Sequence, residues 1–438
     1  MASSWGNYPK ITPKNIHRPQ WLFEIGSHLE KSDNLLAFGM GRSYGDVCLN
    51  SNTMIASQNL NRIIKFDKQT GILECEVGIT LQEILEIIVP HSWFLPVSPG
   101  TQFVTLGGAI ANDIHGKNHH NAGTFGRYCL SLQLIRSNGE ILECSLENNS
   151  EIFKASIGGL GLTGFISKAS IQLKSIVNSY IKVEKYIFNH LNGYFDLSKE
   201  FDKDNEYTVA WIDCLRSGSK KARGVYWVGN HSQESGKINQ AAQSLYAKKK
   251  LMVPFYFPSG ALNLYTCICF NRLFFQLQKI KPQSSTVGFQ NYFYPLDHIH
   301  NWNKIYGKNG FFQYQFVIPY ESGPTNFAGI LDQITTANIG SFFAVLKNFG
   351  SIESPGLLSF PSPGYTLALD FPNQGQKTLK LLDTLDEMVL QWGGRVYPAK
   401  DSRMNGDIFK KFYPNWTTLD RLKDPNFSSA FWERVTHE

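Results

Sequence analysis

Four glycine-rich clusters hold most of the residues able to do chemistry in this chain. In Gly39-Met40-Gly41-Arg42-Ser43-Tyr44-Gly45-Asp46, closely spaced glycines let backbone amides converge on an anion, and Arg42 and Ser43 add donors. A pyrophosphate suits that pattern, although the loop taken singly reads equally well as an ordinary turn. A dinucleotide-binding βαβ unit needs a helix directly after the loop and an acid about 20 positions on. Val47–Asn52 does not read as helical and no acid occurs before Asp67, so that reading is rejected. The second cluster joins Pro99-Gly100-Thr101 to the run Gly107-Gly108-Ala109-Ile110-Ala111-Asn112-Asp113-Ile114-His115-Gly116-Lys117-Asn118-His119-His120. His115 and His119 stand at i, i+4, which would face one metal only on a helix, and Gly116 with Asn118 opposes a helix there. No metal site is expected. Small residues beside donors are better suited to a flat ring lying against backbone.

The third cluster is Gly158-Gly159-Leu160-Gly161-Leu162-Thr163-Gly164, which by itself is a tight turn. The fourth is Gly393-Gly394-Arg395-Val396-Tyr397-Pro398-Ala399-Lys400-Asp401-Ser402-Arg403, where Lys400 by default is a surface lysine.

The elements that must position these clusters follow from periodicity. Leu35–Phe38 is a short apolar run feeding the first loop. Thr80-Leu81-Gln82-Glu83 is a capping box ahead of Ile84, Leu85, Ile87 and Ile88, with Pro90 closing the helix. Phe165–Leu173 alternates apolar and polar residues and predicts a strand. From about Ser179 the strands lengthen: Tyr207–Asp213 and Gly224–Val228 flank the basic turn Arg216–Arg223 as a hairpin. Phe311–Ile318 and Tyr365–Phe371 are further strands, and Lys377–Leu390 is helical. The last 40 residues return to loop-and-helix texture.

Composition narrows the class. Of 438 residues, 42% are hydrophobic and 18% charged, with 31 Phe, 19 Tyr and 9 Trp. That much buriable surface excludes a disordered chain. A net charge of +6 is too mild to argue for a nucleic-acid partner. Cys48, Cys75, Cys129, Cys144, Cys214, Cys267 and Cys269 form no C-x-x-C pair and read as free thiols of a reducing compartment. Met1–Gln20 is polar and proline-punctuated, without the apolar core of a signal peptide.

Leu251–Asn271 carries no charge, follows Lys248, Lys249 and Lys250, and precedes Arg272. It is long enough for a span of about 20 residues, but Pro254, Pro258, Gly260 and Asn263 interrupt it. An aromatic loop, buried or touching a membrane or acyl chain, is the expectation.

In series, the four clusters resemble the FAD-linked oxidases of the vanillyl-alcohol oxidase type. The likeness runs from Trp5-Gly6 through Tyr294-Pro295-Leu296-Asp297 and Gln313-Tyr314-Gln315-Phe316 to Lys400. It sharpens at Gly107–His120 and Gly394–Arg403, which are similar to the oxidase components of decaprenylphosphoryl-ribose 2'-epimerases. The resemblance implies an α+β, two-domain flavoprotein: a non-Rossmann FAD-binding domain over 1–178, a substrate domain on an antiparallel sheet over 179–394, and a segment over 395–438 returning to the FAD domain. It implies that Gly41, Arg42, Ser43, Tyr44, Gly45, Gly100, Thr101, Gly108, Asn112, His115, Gly116, Asn118, His119 and Gly164 cradle FAD. Many relatives bond the flavin to a histidine in the first loop; Arg42 stands here instead, so non-covalent FAD is expected.

The implied reaction is oxidation of the 2'-hydroxyl of a polyprenylphosphoryl pentose to a 2'-keto sugar, with oxidation of a free sugar, sugar lactone or alditol as the alternative. Lys400 matches the family's active-site lysine, a fixed cation for the charge that reduced flavin gathers. His115 would orient the hydroxyl or take its proton. Tyr44, Lys117, Gln315, Tyr397 and Trp211 would wall the site. Ala368 stands where the best-known members carry a cysteine. The implied partners are a lipid-linked sugar, a separate NADH-dependent short-chain reductase and, peripherally, the cytoplasmic membrane; the implied location is cytoplasmic or peripheral on that membrane.

Overall fold

The computed structural model describes residues 2–30, 32–216, 218, 221–234, 251–258 and 260–437. Lys248, Lys249 and Lys250 lie outside the described residues, as do Ser217, Ser219 and Lys220 of the hairpin turn. The amino-terminal part holds two larger sheets and a two-stranded antiparallel pair, Trp93–Phe94 with Lys174–Ser175. Thr53–Ala56 pairs in parallel with Asn15–His17 on one side and Leu35–Phe38 on the other. A five-stranded antiparallel sheet runs Ile63–Asp67, Ile72–Glu76, Phe165–Gln172, Cys129–Ile135, Ile141–Ser145. The expected capping box closes: Thr80 Oγ1 accepts from Glu83 N at 3.2 Å, and Glu83 Oε2 accepts from Thr80 N at 2.7 Å. The helix it starts, Leu81–Ile88, buries Leu81, Ile84, Leu85 and Ile88 on one face.

The second half is built on an eight-stranded sheet ordered Ser284–Gly288, Tyr180–Phe188, Gly224–His231, Tyr207–Ile212, Ala344–Phe349, Gly364–Pro372, Phe311–Ile318, Arg395–Val396. Its pairs are antiparallel throughout. Period-2 alternation sorts each strand between two faces. Tyr314, Phe316, Leu367, Leu369, Ala210 and Ile212 point into a core with Phe327, Ile330, Leu331, Leu382 and Leu385 of the Gly323–Thr336 and Gln376–Gln391 helices. Gln313, Gln315, Ala368, Val345, Trp211 and Val209 face a large cavity instead. The α+β expectation and the hairpin over 207–231 both hold.

The C-terminal segment returns to the amino-terminal part. Leu35 N donates to Asn426 O at 2.9 Å, and Arg434 of the Ala430–Thr436 helix reaches Asp46.

Two local expectations are corrected. Asp46–Cys48 forms one 3-10 turn where no helical character was expected. The uncharged segment is not a loop throughout, because Leu264–Ile280 is a 17-residue helix. Asn263, read as a breaker, is its N-cap: its Oδ1 accepts from Tyr265 N at 2.9 Å and Thr266 N at 3.1 Å, and Thr266 Oγ1 accepts from Asn263 N at 2.9 Å. Among the described residues no helix is long and apolar enough to cross a membrane.

Candidate active site

Between the amino-terminal sheets and the open face of the eight-stranded sheet lies a cavity of about 920 Å³. The first, second and third glycine clusters and Lys400 all contribute to its wall. Gly41 has φ +61°, a conformation glycine takes without strain, and a Cβ there would strike Ser3 O. Gly45 stands behind the wall, with no room for a side chain against Asp401 O. That close approach, with Tyr44 N donating to Ala399 O at 3.0 Å, stitches the first loop to the turn bearing Lys400.

An ion network locks the same junction from behind. The Arg434 guanidinium donates from Nε and Nη2 to the two oxygens of Asp46 at 2.9 and 2.8 Å, and from Nη2 to Asp401 Oδ2 at 3.0 Å. Asp401 follows Lys400 directly and Asp46 follows Gly45, so one arginine fixes both sides of the site. Arg403 extends the network to Asp386 at 2.6 Å, which accepts from Tyr314 OH at 2.9 Å.

Lys400 Nζ sits 5.7 Å from the centre of the Tyr44 ring. Burial and the neighbouring Lys347 push its pKa down, against the pull of Asp370. Asp370 is fully buried, accepting from Gln313 Nε2 at 2.6 Å and Tyr306 OH at 3.4 Å, and burial holds its pKa above the usual carboxylate range. Lys347 donates to Gly116 O at 3.2 Å and is lowered by burial to about 8. Lys117 bonds to Tyr292 O, stands 4.2 Å over that ring, and is lowered to about 7 by burial and by Lys347. Three amines thus line the cavity, and Lys347 depresses both Lys117 and Lys400.

His115 is boxed by Phe349, Phe360 and Tyr397, with ring centres at 4.8, 5.7 and 5.4 Å. The Gln315 Nε2 amide donates to His115 Nε2 at 2.8 Å and to Thr366 Oγ1 at 3.0 Å. The imidazole therefore accepts at Nε2, and burial, with Lys347 second, keeps it neutral by pushing its pKa well down. Asp113, two residues earlier, accepts from Ser354 and Ser359 hydroxyls at 2.5 Å and Gly126 N at 2.7 Å, which anchors the histidine segment. Tyr397 OH donates to Asn112 O at 2.9 Å, and Trp211 Nε1 to Phe342 O at 3.0 Å.

The cavity wall includes Gly41, Arg42, Ser43, Tyr44, Gly100, Thr101, Gly108, Asn112, His115, Gly116, Gly164, Lys117, Trp211, Gln315, Tyr397 and Lys400. It leaves out three of the expected residues. Gly45 is the backing contact already described. Asn118 turns its amide to Pro96 O at 2.8 Å, and His119 packs against Phe349 at 4.5 Å, its pKa pushed down to about 3 by burial. Arg42 lies in the wall with its guanidinium stacked 4.2 Å over Trp5 and 5.1 Å from Phe103. Lys347 and Asp370 escaped the sequence reading; the signal for Lys347 was a lysine on the Val345 side of an otherwise apolar strand.

FAD fits these residues. Arg42 Nε and Asn112 Oδ1 are buried polar atoms of the wall with no partner among the described residues. At Gly100 an added Cβ would meet nothing within 4 Å and at Gly108 only Thr105 Oγ1, so bare backbone faces the space a flat ring needs.

Comparisons agree with that fit. The FAD binding domain family matches residues 28–145. The chain is 34% identical over 422 residues to decaprenylphosphoryl-β-D-ribose oxidase of Mycolicibacterium smegmatis, covering 93% of this chain and 90% of that one. It is 20% identical over 443 residues to L-gulono-1,4-lactone dehydrogenase of Mycobacterium tuberculosis, covering 97% and 96%. With L-gulonolactone oxidase of Mus musculus it shares 23% over 237 residues, 51% and 54% of the two chains. The chain belongs to the decaprenylphosphoryl-β-D-ribose oxidase family of FAD-dependent oxidoreductases acting on CH–OH groups.

Proposed function

We propose that the protein oxidises the 2'-hydroxyl of a polyprenylphosphoryl pentose, resembling decaprenylphosphoryl-β-D-ribose, to the 2'-keto sugar. This is the first half of an epimerisation to the arabinose form. The observation that carries the reading is the trio Lys117, Lys347 and Lys400 in the cavity wall, with Lys347 close enough to lower both others, a concentration of amines that suits an anionic ligand. A phosphoryl group answers that need. A neutral lactone or alditol, the alternative suggested by the lactone-acting relatives, brings no charge to these amines.

Bound FAD supplies the two-electron acceptor for the C2' hydride. The hydroxyl proton goes to a group of the chain, and Lys400 Nζ is our assignment, because its lowered pKa keeps neutral amine present near pH 7. The Tyr44 ring and the charge of Asp370, which accepts from Gln313, flank Lys400. His115, whose Nε2 is occupied by the Gln315 amide, orients the sugar as a neutral Nδ1–H donor and is not assigned the proton.

FAD is held without a covalent bond in this reading. Cys48 borders the cavity, but burial and Asp46 raise its thiol to about 12, which leaves no thiolate for attack. Acid precipitation should leave the yellow flavin in solution.

A separate NADH-dependent short-chain reductase completes the epimerisation. The protein works peripherally on the inner face of the cytoplasmic membrane, through the outer face of the Leu264–Ile280 helix. There Tyr265 and Ile280 are 81% and 80% exposed.

Turnover with a polyprenylphosphoryl ribose, followed by mass analysis, should give a product lacking two hydrogens and trapped by carbonyl reagents. Oxidation of a free lactone with the lipid sugar untouched would select the alternative.

A further inference from the structure

The cavity extends well past the three lysines. Beyond Gln315 its wall follows the sheet from strand to strand: Gln315 pairs with Ala368, Ala368 with Val345, and Val345 with Trp211. On the next row Val209 pairs with Trp227, and Trp227 with Lys185. From Phe311–Ile318 to Ser284–Gly288 there are six strand-to-strand steps, about 29 Å at about 4.8 Å each. Val287 also lines this arm, and the roof is the Leu264–Ile280 helix, which presents Phe270, Phe274 and Gln278 at i, i+4, i+8.

The helix is fixed to the sheet. Asn271 Nδ2 donates to Asp213 Oδ1 at 3.0 Å and Ser341 O at 3.2 Å, and Phe275 lies 4.4 Å under the Arg223 guanidinium. Its inner stripe joins the sheet: Phe274 packs on Trp211 at 4.7 Å and Phe270 on Phe342 at 5.3 Å. Phe270 is nevertheless 45% exposed and its neighbour Leu273 58%, so the arm opens along one side onto the outer apolar face of the same helix.

We propose that this arm binds the first isoprenoid units of the substrate's lipid tail, while the rest of the chain leaves over the Phe270–Leu273 rim into the bilayer. The inference rests on the lipid-phosphate reading above. Val209, Trp211, Trp227, Phe274 and Val287 offer a sugar no hydrogen-bonding wall but offer a hydrocarbon continuous apolar surface from the lysine end outward. The lining changes at Lys185, Gln278, Lys281 and Gln283, where hydrocarbon gains nothing, so the arm holds only the leading units. A tail entering from the membrane passes from apolar rim to apolar groove without crossing water.

The test compares methylphosphoryl, geranylphosphoryl and farnesylphosphoryl pentose below their micellar range, with steady-state kinetics on the FAD-loaded enzyme. KM should fall at least tenfold from methyl to farnesyl. Val287→Trp, which fills the arm, should abolish that fall and leave methylphosphoryl-pentose turnover within about twofold of wild type. Phe274→Ser, which makes the roof polar, is the second variant should the first lose its flavin, with the same expectation. A KM independent of chain length, or a length dependence that survives both substitutions, overturns the tail site while leaving the function reading intact. Failure of every phosphoryl pentose to bleach the flavin overturns both.

Discussion

The two arms of the cavity are built on opposite principles. At the reacting end, directed hydrogen bonds and ion pairs set the side chains: Gln315 bridges His115 and Thr366, Gln313 holds Asp370, and Arg434 clamps Asp46 and Asp401. Beneath the Leu264–Ile280 helix the wall is apolar side chains in van der Waals contact, open along one edge. Directed polar contacts set the geometry where bonds are made and broken, and nondirectional apolar packing sets it where only hydrocarbon is held. A rigid cationic end with a permissive apolar approach is what an anionic head on a long lipid requires.

Breaking the clamp should have the largest effect. Arg434→Met leaves Asp46 and Asp401 buried without their cation and should cost about 3–5 kcal/mol, read as a lower urea midpoint with unchanged slope. It should also loosen FAD, because the same arginine braces the first glycine loop. Equal stability would show that the network is ornamental.

Next in size is Lys400→Ala. If its amine takes the hydroxyl proton, the rate of flavin bleaching by substrate should fall about 10²–10³-fold with FAD content unchanged. A fall below threefold would remove Lys400 from the chemistry.

Lys347→Met sharpens the contrast by removing charge without removing the base. Lys347 lowers the pKa of Lys400, so its loss should raise that pKa. The neutral amine then becomes scarcer at a given pH, and the acid limb of the kcat profile should move to higher pH by about one unit. A shift to lower pH would contradict the repulsion argument.

The smallest effect belongs to the apolar side. Tyr265→Glu with Ile280→Glu should weaken binding to anionic vesicles about tenfold, from lost burial and added repulsion, and leave turnover of short-chain substrate alone. Unchanged vesicle binding would move the membrane contact elsewhere.

Legibility in the sequence divides along the same line. The first and third glycine clusters taken singly read as turns and Lys400 as a surface lysine; they mark a cofactor site only in series, through the family resemblance. The Thr80 capping box and the alternation over 165–172 were readable locally. The apolar arm carries no such mark: its wall comes from six strands and one helix, each ordinary by itself. Asn263 looked like a breaker because a cap and an interruption use the same residue, and only the helix after it tells them apart. Arg434 and Asp46 are 388 positions apart, beyond any local pattern. Lys347 was missed because one lysine in an apolar strand acquires meaning only when its neighbours prove to be amines as well.

The most direct test is anaerobic rapid mixing of the FAD-loaded protein with farnesylphosphoryl ribose and, separately, with the uncharged farnesyl riboside. Charge complementarity with Lys117, Lys347 and Lys400 predicts fast bleaching by the phosphoryl sugar, at least 100-fold more efficient than by the neutral one. Equal bleaching by both, or bleaching by the neutral sugar alone, would contradict the account.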